Sequence, residues 1–226
     1  NIGSNRNENL DKISLIAQRN PEIIAAVFNG ESHFVPPSKS NDAEVIKNTS
    51  KPIDLYNMYM VTPIKNENNQ VIAALSMRIQ PSGQISNIMQ QGRIGNSGES
   101  YLVTKQGKML SRSRFEAEFS SINYLQTFYE NKQLITLKVP QINVMENPNV
   151  DFDMQQLPFT FMANHIMNSA RSDNISLITN NKITSNVHGY NDYRGVSVFG
   201  AWLWDNQYGF GIATEIDTDE ALIGVN

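Results

Sequence analysis

The chain has 226 residues, 40% of them apolar and 18% charged, with a formal net charge of −4 and no cysteine. That length suits one large domain or two small ones, and the charge offers no basic field for nucleic acid. Without cysteine there are no disulfides, thiolate metal sites or thiol nucleophiles.

Residues 4–20, SNRNENLDKISLIAQRN, place Leu10, Ile13 and Ala17 at helical spacing. The residue before Pro21 resists the helical conformation, so a helix is expected to stop there. Next, EIIAAVFNGESHFVPP has Asn29-Gly30 between two apolar stretches, which predicts a hairpin. After a polar loop from Pro36 to Pro52, DLYNMYMVTPI and QVIAALSMRI predict two strands joined across KNENN. QPSGQISNIMQQG predicts a connecting helix with Ile85, Ile88 and Met89 on one face and Gly92 past its end. The longest apolar runs, near IIAAVF and VIAAL, fall far short of the ~18–20 residues of a membrane helix.

The pattern then restarts. ESYLVTKQGKMLSRSRF predicts a second hairpin around Lys105-Gln106-Gly107. From Glu116 to Val187 the sequence is polar and weakly periodic, with one short helix expected after Pro158. HGYNDYRG, VSVFGAWLW and YGFGIATEI predict three strands, the last two joined by Asp205-Asn206-Gln207. Alternation along the final strand puts Tyr208, Phe210, Ile212 and Thr214 on one face and Gly209, Gly211 and Ala213 on the other. That bare face leaves space for a closely packed helix or for a ligand. The order helix, hairpin, loop, strand, strand occurs twice, which predicts two similar α+β units.

The polar residues offer several candidate chemistries. Glu215 and Asp217 share a strand face at roughly 6–7 Å, a spacing that suits a paired-carboxylate hydrolase. The preferred reading is a cap, in which Asp217 accepts from the first amides of a terminal helix and Glu220 reaches back. His33, His165 and His188 lack the i+3 or i+4 partners of helical zinc sites, so no metal and no cofactor is expected. GRIGNSG, Gly92 to Gly98, fits neither a dinucleotide nor a P-loop pattern and reads as a turn. Arg112 and Arg114 flank Ser113, placing two guanidiniums on one side to grip an anion or to pair with Glu116 and Glu118. Tyr190, Asp192 and Arg194 alternate onto one side, suited either to a pocket wall or to mutual neutralisation of the charges.

At these residues the sequence resembles the double Cache extracytoplasmic sensor domains of bacterial membrane receptors. GRIGNSGESYLVTKQGKMLSRSRF is similar to that family's second-unit hairpin, and GYNDYRGVSVFGAWLWDNQYGFGIATEID to its closing strands. The resemblance implies two PAS-like units with central antiparallel sheets along a long N-terminal helix. It divides the chain into a stalk helix (1–20), a membrane-distal unit (21–84) and a membrane-proximal unit (85–226) whose terminal helix leads toward the membrane. It implies a periplasmic or extracellular small-molecule sensor of a cell-membrane receptor, with a histidine kinase or nucleotide cyclase module as output. Flanking membrane helices outside this fragment and a homodimeric receptor go with that reading. Amino-acid-binding members carry an Arg-x-Trp-Tyr type motif, whereas DLYNMYMVTPI has neither arginine nor tryptophan, so no amino-acid ligand is carried over. Candidate ligand residues are Tyr101, Arg112, Arg114, Tyr190, Asp192 and Trp202 in the second unit, or Tyr56 and Tyr59 in the first. Gly209, Gly211, Asp217 and Glu220 are candidates for structure and signalling. A secreted hydrolase using Glu215 and Asp217 and a ligand-free dimerisation module are the alternatives.

Overall fold

A computed structural model describes residues 15–40, 55–131, 133–171 and 182–223. Most of the expected stalk helix, residues 1–14, lies outside these. Its last turn is α1, Leu15–Arg19, which stops before Asn20.

The chain re-enters a helix at once in α2, Pro21–Phe28. Pro21 sits in the first turn, where a missing N–H costs nothing, and Ala25 and Ala26 are strong helix formers. The Asn29 amide donates to the carbonyls of Ala25 and Ala26 at 3.0 and 3.1 Å, and Gly30 leaves the helix at φ +101°. The expected strand over this segment is therefore a helix. Asn29-Gly30, which would turn a hairpin, here ends a helix, because both structures need a residue that accepts positive φ.

β1 (His33–Lys39), β2 (Tyr56–Lys65) and β3 (Val71–Ile79) form an antiparallel sheet in the order β1-β2-β3. In the turn before β3 the Asn66 side-chain oxygen accepts from the amides of Asn68 and Gln70 at 3.0 and 2.9 Å. A wide π-type turn at Pro81–Ile85 leads into α3, Ser86–Gln91. Ile85 and Met89, four residues apart, face the core around Leu102, whereas Ile88 is 55% exposed, contrary to expectation.

β4 (Glu99–Val103) begins the second sheet, and a tight turn follows it, with Gly107 at φ +69°. The polar stretch beyond holds α4 (Asn123–Glu130) and the helix expected after Pro158, α5 (Phe161–Arg171). β5 (Thr184–Asn191), β6 (Ser197–Asp205) and β7 (Phe210–Asp217) complete an antiparallel sheet in the order β4-β7-β6-β5. α6, Thr218–Ala221, continues directly from β7.

The small-residue face of β7 receives α5. A Cβ at Gly211 would lie 2.8 and 2.9 Å from two carbons of the Ile166 side chain. Ile166, Met162, Tyr101, Trp202 and Ala213 form the centre of the buried cluster there. Gly209 is not part of that face; it sits in the β6–β7 turn at φ +67°. By contacts the chain divides into two compact units. The smaller comprises residues up to Val35 and Tyr59–Arg78, with Val27, Val35 and Val61 as its core. The larger comprises Pro36–Met58 and everything from Ile79 onward. Residues of the expected 21–84 segment thus fall in both units.

Replacing Gly211 with valine forces extra carbon into the Ile166 contact and is expected to cost about 1–3 kcal/mol. Thermal denaturation should show a loss of about 2–4 °C per kcal/mol. Ile166→Ala combined with Gly211→Val should be less destabilising than the sum of the two single changes.

Candidate functional site

Four carboxylates and one guanidinium meet in the larger unit, around the C-terminal half of β7. Glu99 on β4 and Glu215 on β7 are directly paired in register, and both are 2% exposed. Two like charges facing each other across adjacent strands repel, so the surroundings must supply hydrogen or keep protons on the acids.

Glu215 is held by phenols. Tyr101 donates to one carboxyl oxygen and Tyr190 to the other, each at 2.5 Å. Gly200, the register partner of Glu215 on β6, makes room for this, since a Cβ there would collide with the Tyr190 hydroxyl. Burial is the main force that pushes Glu215 up to about 8, and the nearby Asp192 adds to it; the two phenolic bonds work in the opposite direction. Tyr101 and Tyr190 are themselves raised, first by burial and then by Glu215, so they remain donors.

Glu99 accepts from the Tyr193 hydroxyl at 2.8 Å, and from the Ser113 hydroxyl and the Arg114 amide at 2.9 Å. Ser113 and Tyr193 also lie 2.7 Å apart. Three oxygen–oxygen contacts need three hydrogens and the two hydroxyls supply two, so the ring is complete when Glu99 carries a proton. Burial raises Glu99 in that direction, against the pull of Arg194.

Arg194 bridges the other two acids. Its Nε donates to Asp192 at 2.6 Å and an Nη to Asp217 at 2.5 Å, and its plane lies 4.1 Å from the Phe115 ring centre. Burial opposes the Arg194 charge, but Asp192, Tyr193 and Asp217 more than offset this. Asp192 also accepts from the amides of Arg194 and Val196, in a turn that Gly195 closes at φ +75°.

The expected cap is not made. Asp217 occupies the N-cap position with no side-chain bond to the helix, because Arg194 holds its carboxylate. Glu220 turns away to the 95–98 loop, accepting from the amides of Asn96 and Ser97 at 2.6 Å and from the Ser97 hydroxyl. These bonds lower the Glu220 pKa. The same loop is gripped by Arg114, whose guanidinium donates to the carbonyls of Gly98 and Gly95 at 2.7 Å. Arg112 lies 3.8 Å from Glu116 instead.

The structure thus gathers Tyr101, Tyr190 and Asp192 into one closed polar cluster and packs Trp202 beside it, against Phe161, His165 and Tyr190. It does not bring the Arg112 or Arg114 guanidinium there; Arg114 contributes only its backbone amide, to Glu99. Sequence reading missed Glu99 and Tyr193, whose pairing with Ser113 depends on strand register that alternation alone does not specify. As a hydrolytic pair, Glu215 and Asp217 are blocked, with the first closed off by two phenols and the second by Arg194.

Tyr59 packs on the core of the smaller unit. Tyr56 belongs to the larger one, where it lines a cavity of about 500 Å³ near the opposite end of β7. Trp204, Gly209, Lys39, Lys105 and Lys108 also line it, and all of its lining residues belong to the larger unit. This volume lies within the usual range for small-molecule pockets.

No protein-family model matches the sequence, and no curated protein matches it. Solved structures similar in fold include the periplasmic sensory domain of the Campylobacter jejuni chemoreceptor Tlp1, at 12% identity and a TM-score of 0.44, over 93% of this chain and 60% of that one. The ligand-binding domain of Mlp24 with asparagine matches at 10% identity and a TM-score of 0.42, over 98% and 64%. The ligand-binding domain of the Pseudomonas aeruginosa PAO1 amino-acid chemoreceptor PctC in complex with GABA matches at 10% and 0.42, over 93% and 66%. The chain spans less than two thirds of the length of each, and the likeness is one of general fold.

The raised Glu215 predicts a pH dependence with a definite sign. Between the ordinary carboxylate range near 4.5 and about 8, the folded state keeps a proton that the unfolded state has lost. Stability therefore falls as pH rises through that window. Melting temperatures measured from pH 5 to 8 should decline, and Glu215→Gln should flatten the slope.

Proposed function

We propose that this chain is the extracytoplasmic, small-molecule-sensing part of a membrane receptor, with no catalysis of its own. The observation that carries the proposal is the course of β7. It starts beside Gly209, which lines the pocket, and it ends at Asp217, where α6 begins. Eight residues at ~3.3 Å each span about 26 Å. Between these ends the strand is hydrogen-bonded on both sides and pinned by Glu215 to two buried phenols. A strand held in this way moves as a unit, so a change of packing at the pocket reaches α6 and the loop that Glu220 grips.

Ligand occupancy would then bias two packings of the β7–α6 junction, by as much as the ligand's affinity for them differs. In the receptor, membrane helices flank this fragment, the subunits pair as a homodimer, and a cytoplasmic module, of which a histidine kinase is our choice, reads the bias. The closing motif supports the same reading, because Asp192, Arg194, Glu215 and Asp217 are all consumed in fixing this strand and its exit.

A thermal-shift screen of the chain against a metabolite library tests the proposal. A ligand at a hundred times its Kd should add about 2.7 kcal/mol, which is roughly 5–11 °C for a chain of this size. A library in which no compound stabilises the chain would contradict it and favour a ligand-free dimerisation module. Separately, Glu220→Ala should speed hydrogen exchange of the Asn96 and Ser97 amides while β4 stays protected.

A further inference from the structure

The pocket beside Trp204 combines cations with flat apolar walls. Lys39, Lys105 and Lys108 line it, no aspartate or glutamate among the described residues does, and the chain as a whole is acidic. Among the described residues, the ammonium groups of Lys105 and Lys108 have no hydrogen-bond or ion-pair partner, and neither has the Tyr56 hydroxyl. Asp205, next along the chain from Trp204, is turned to its own loop, accepting from the amides of Gln207 and Tyr208 at 2.8 and 3.0 Å.

The two lysines are carried on a fixed turn. The Thr104 hydroxyl accepts from the amides of Gln106 and Lys108 at 3.3 and 3.2 Å. Gly107, between the lysines, is so close to α5 that a Cβ there would sit 2.7 Å from the Met167 sulfur. Across the cavity the indole N–H of Trp204 is already spent on Asn206 at 2.8 Å, so the ring offers its apolar surface. Pro36 and Pro37 add a second flat wall, brought near by Gly209, whose Cβ would stand 3.0 Å from Pro36. Lysines act as point charges without the planar fork of arginine, so they attract a small anion without demanding a bidentate geometry.

We infer that this pocket binds a small carboxylate on a planar apolar body, an aryl carboxylate, with Lys105 and Lys108 holding the anion, Tyr56 donating to it and Trp204 stacking on the ring. The inference rests on the sensing role proposed above and names the ligand class for it. Desolvating an ammonium–carboxylate pair against aromatic walls strengthens the attraction, and added salt weakens it.

Isothermal titration and thermal shift with benzoate and indole-3-carboxylate test the inference, with benzyl alcohol and phenyl phosphate as comparison ligands. The carboxylates should bind, at least tenfold more tightly than the alcohol and more tightly than the phosphate, with affinity falling as salt rises. Lys105→Gln with Lys108→Gln should weaken binding at least tenfold without changing the melting temperature of the free chain, since neither side chain has a partner to lose. Equal binding of benzoate and benzyl alcohol would overturn the inference, as would preference for phenyl phosphate or unchanged affinity in the double variant. If other metabolites stabilise the chain and the carboxylates do not, the ligand class is wrong and the sensing role stands. If nothing stabilises it, both are wrong.

Discussion

One buried arginine has to balance four carboxylates around β7, and it reaches only two of them. Arg194 pairs with Asp192 and Asp217, leaving Glu99 and Glu215 opposite each other on neighbouring strands. Those two acids are accommodated by hydroxyl donors and by retained protons. Much of the local sequence follows from that need. Tyr101, Tyr190, Tyr193 and Ser113 supply the hydroxyls, and Gly200 makes space for one of them. Removing the arginine alone would strand buried carboxylates, a loss on the order of 3–5 kcal/mol.

The cluster is a poor ligand site and a good anchor. It is closed, its acids are satisfied, and it lies at the end of β7 that turns into α6. The cavity at the other end has the opposite character, with Lys105 and Lys108 lacking partners among the described residues, beside aromatic and proline walls. In the proposed sensor, adaptable chemistry at one end of a stiff strand and rigid chemistry at the other would let binding at the first be felt at the second. The Glu220 and Arg114 contacts to the 95–98 loop extend the rigid end beyond the sheet.

The strands of the second sheet were legible because their glycine and aromatic alternation is strong, and the bare face of β7 did mark the place where a helix packs close. α2 was misread because Asn-Gly serves helix ends and hairpins alike, and only the tertiary setting decides between them. The capping motif failed for a related reason. Asp217 has the right sequence position, but a buried guanidinium competes for its carboxylate more strongly than helix amides do. Register was the largest gap. That Glu99 faces Glu215, or that Lys105 and Lys108 share a cavity with Tyr56, depends on pairings between distant segments that residue patterns do not encode.

In the proposed sensor, occupancy of the pocket is transmitted along β7 to α6. Hydrogen exchange of the Thr218–Ile223 amides, with and without a saturating ligand found by stabilisation, measures this directly. Ligand should change protection both around Trp204 and at Thr218–Ile223. A change confined to the residues lining the pocket, with exchange at Thr218–Ile223 unaltered, would contradict it.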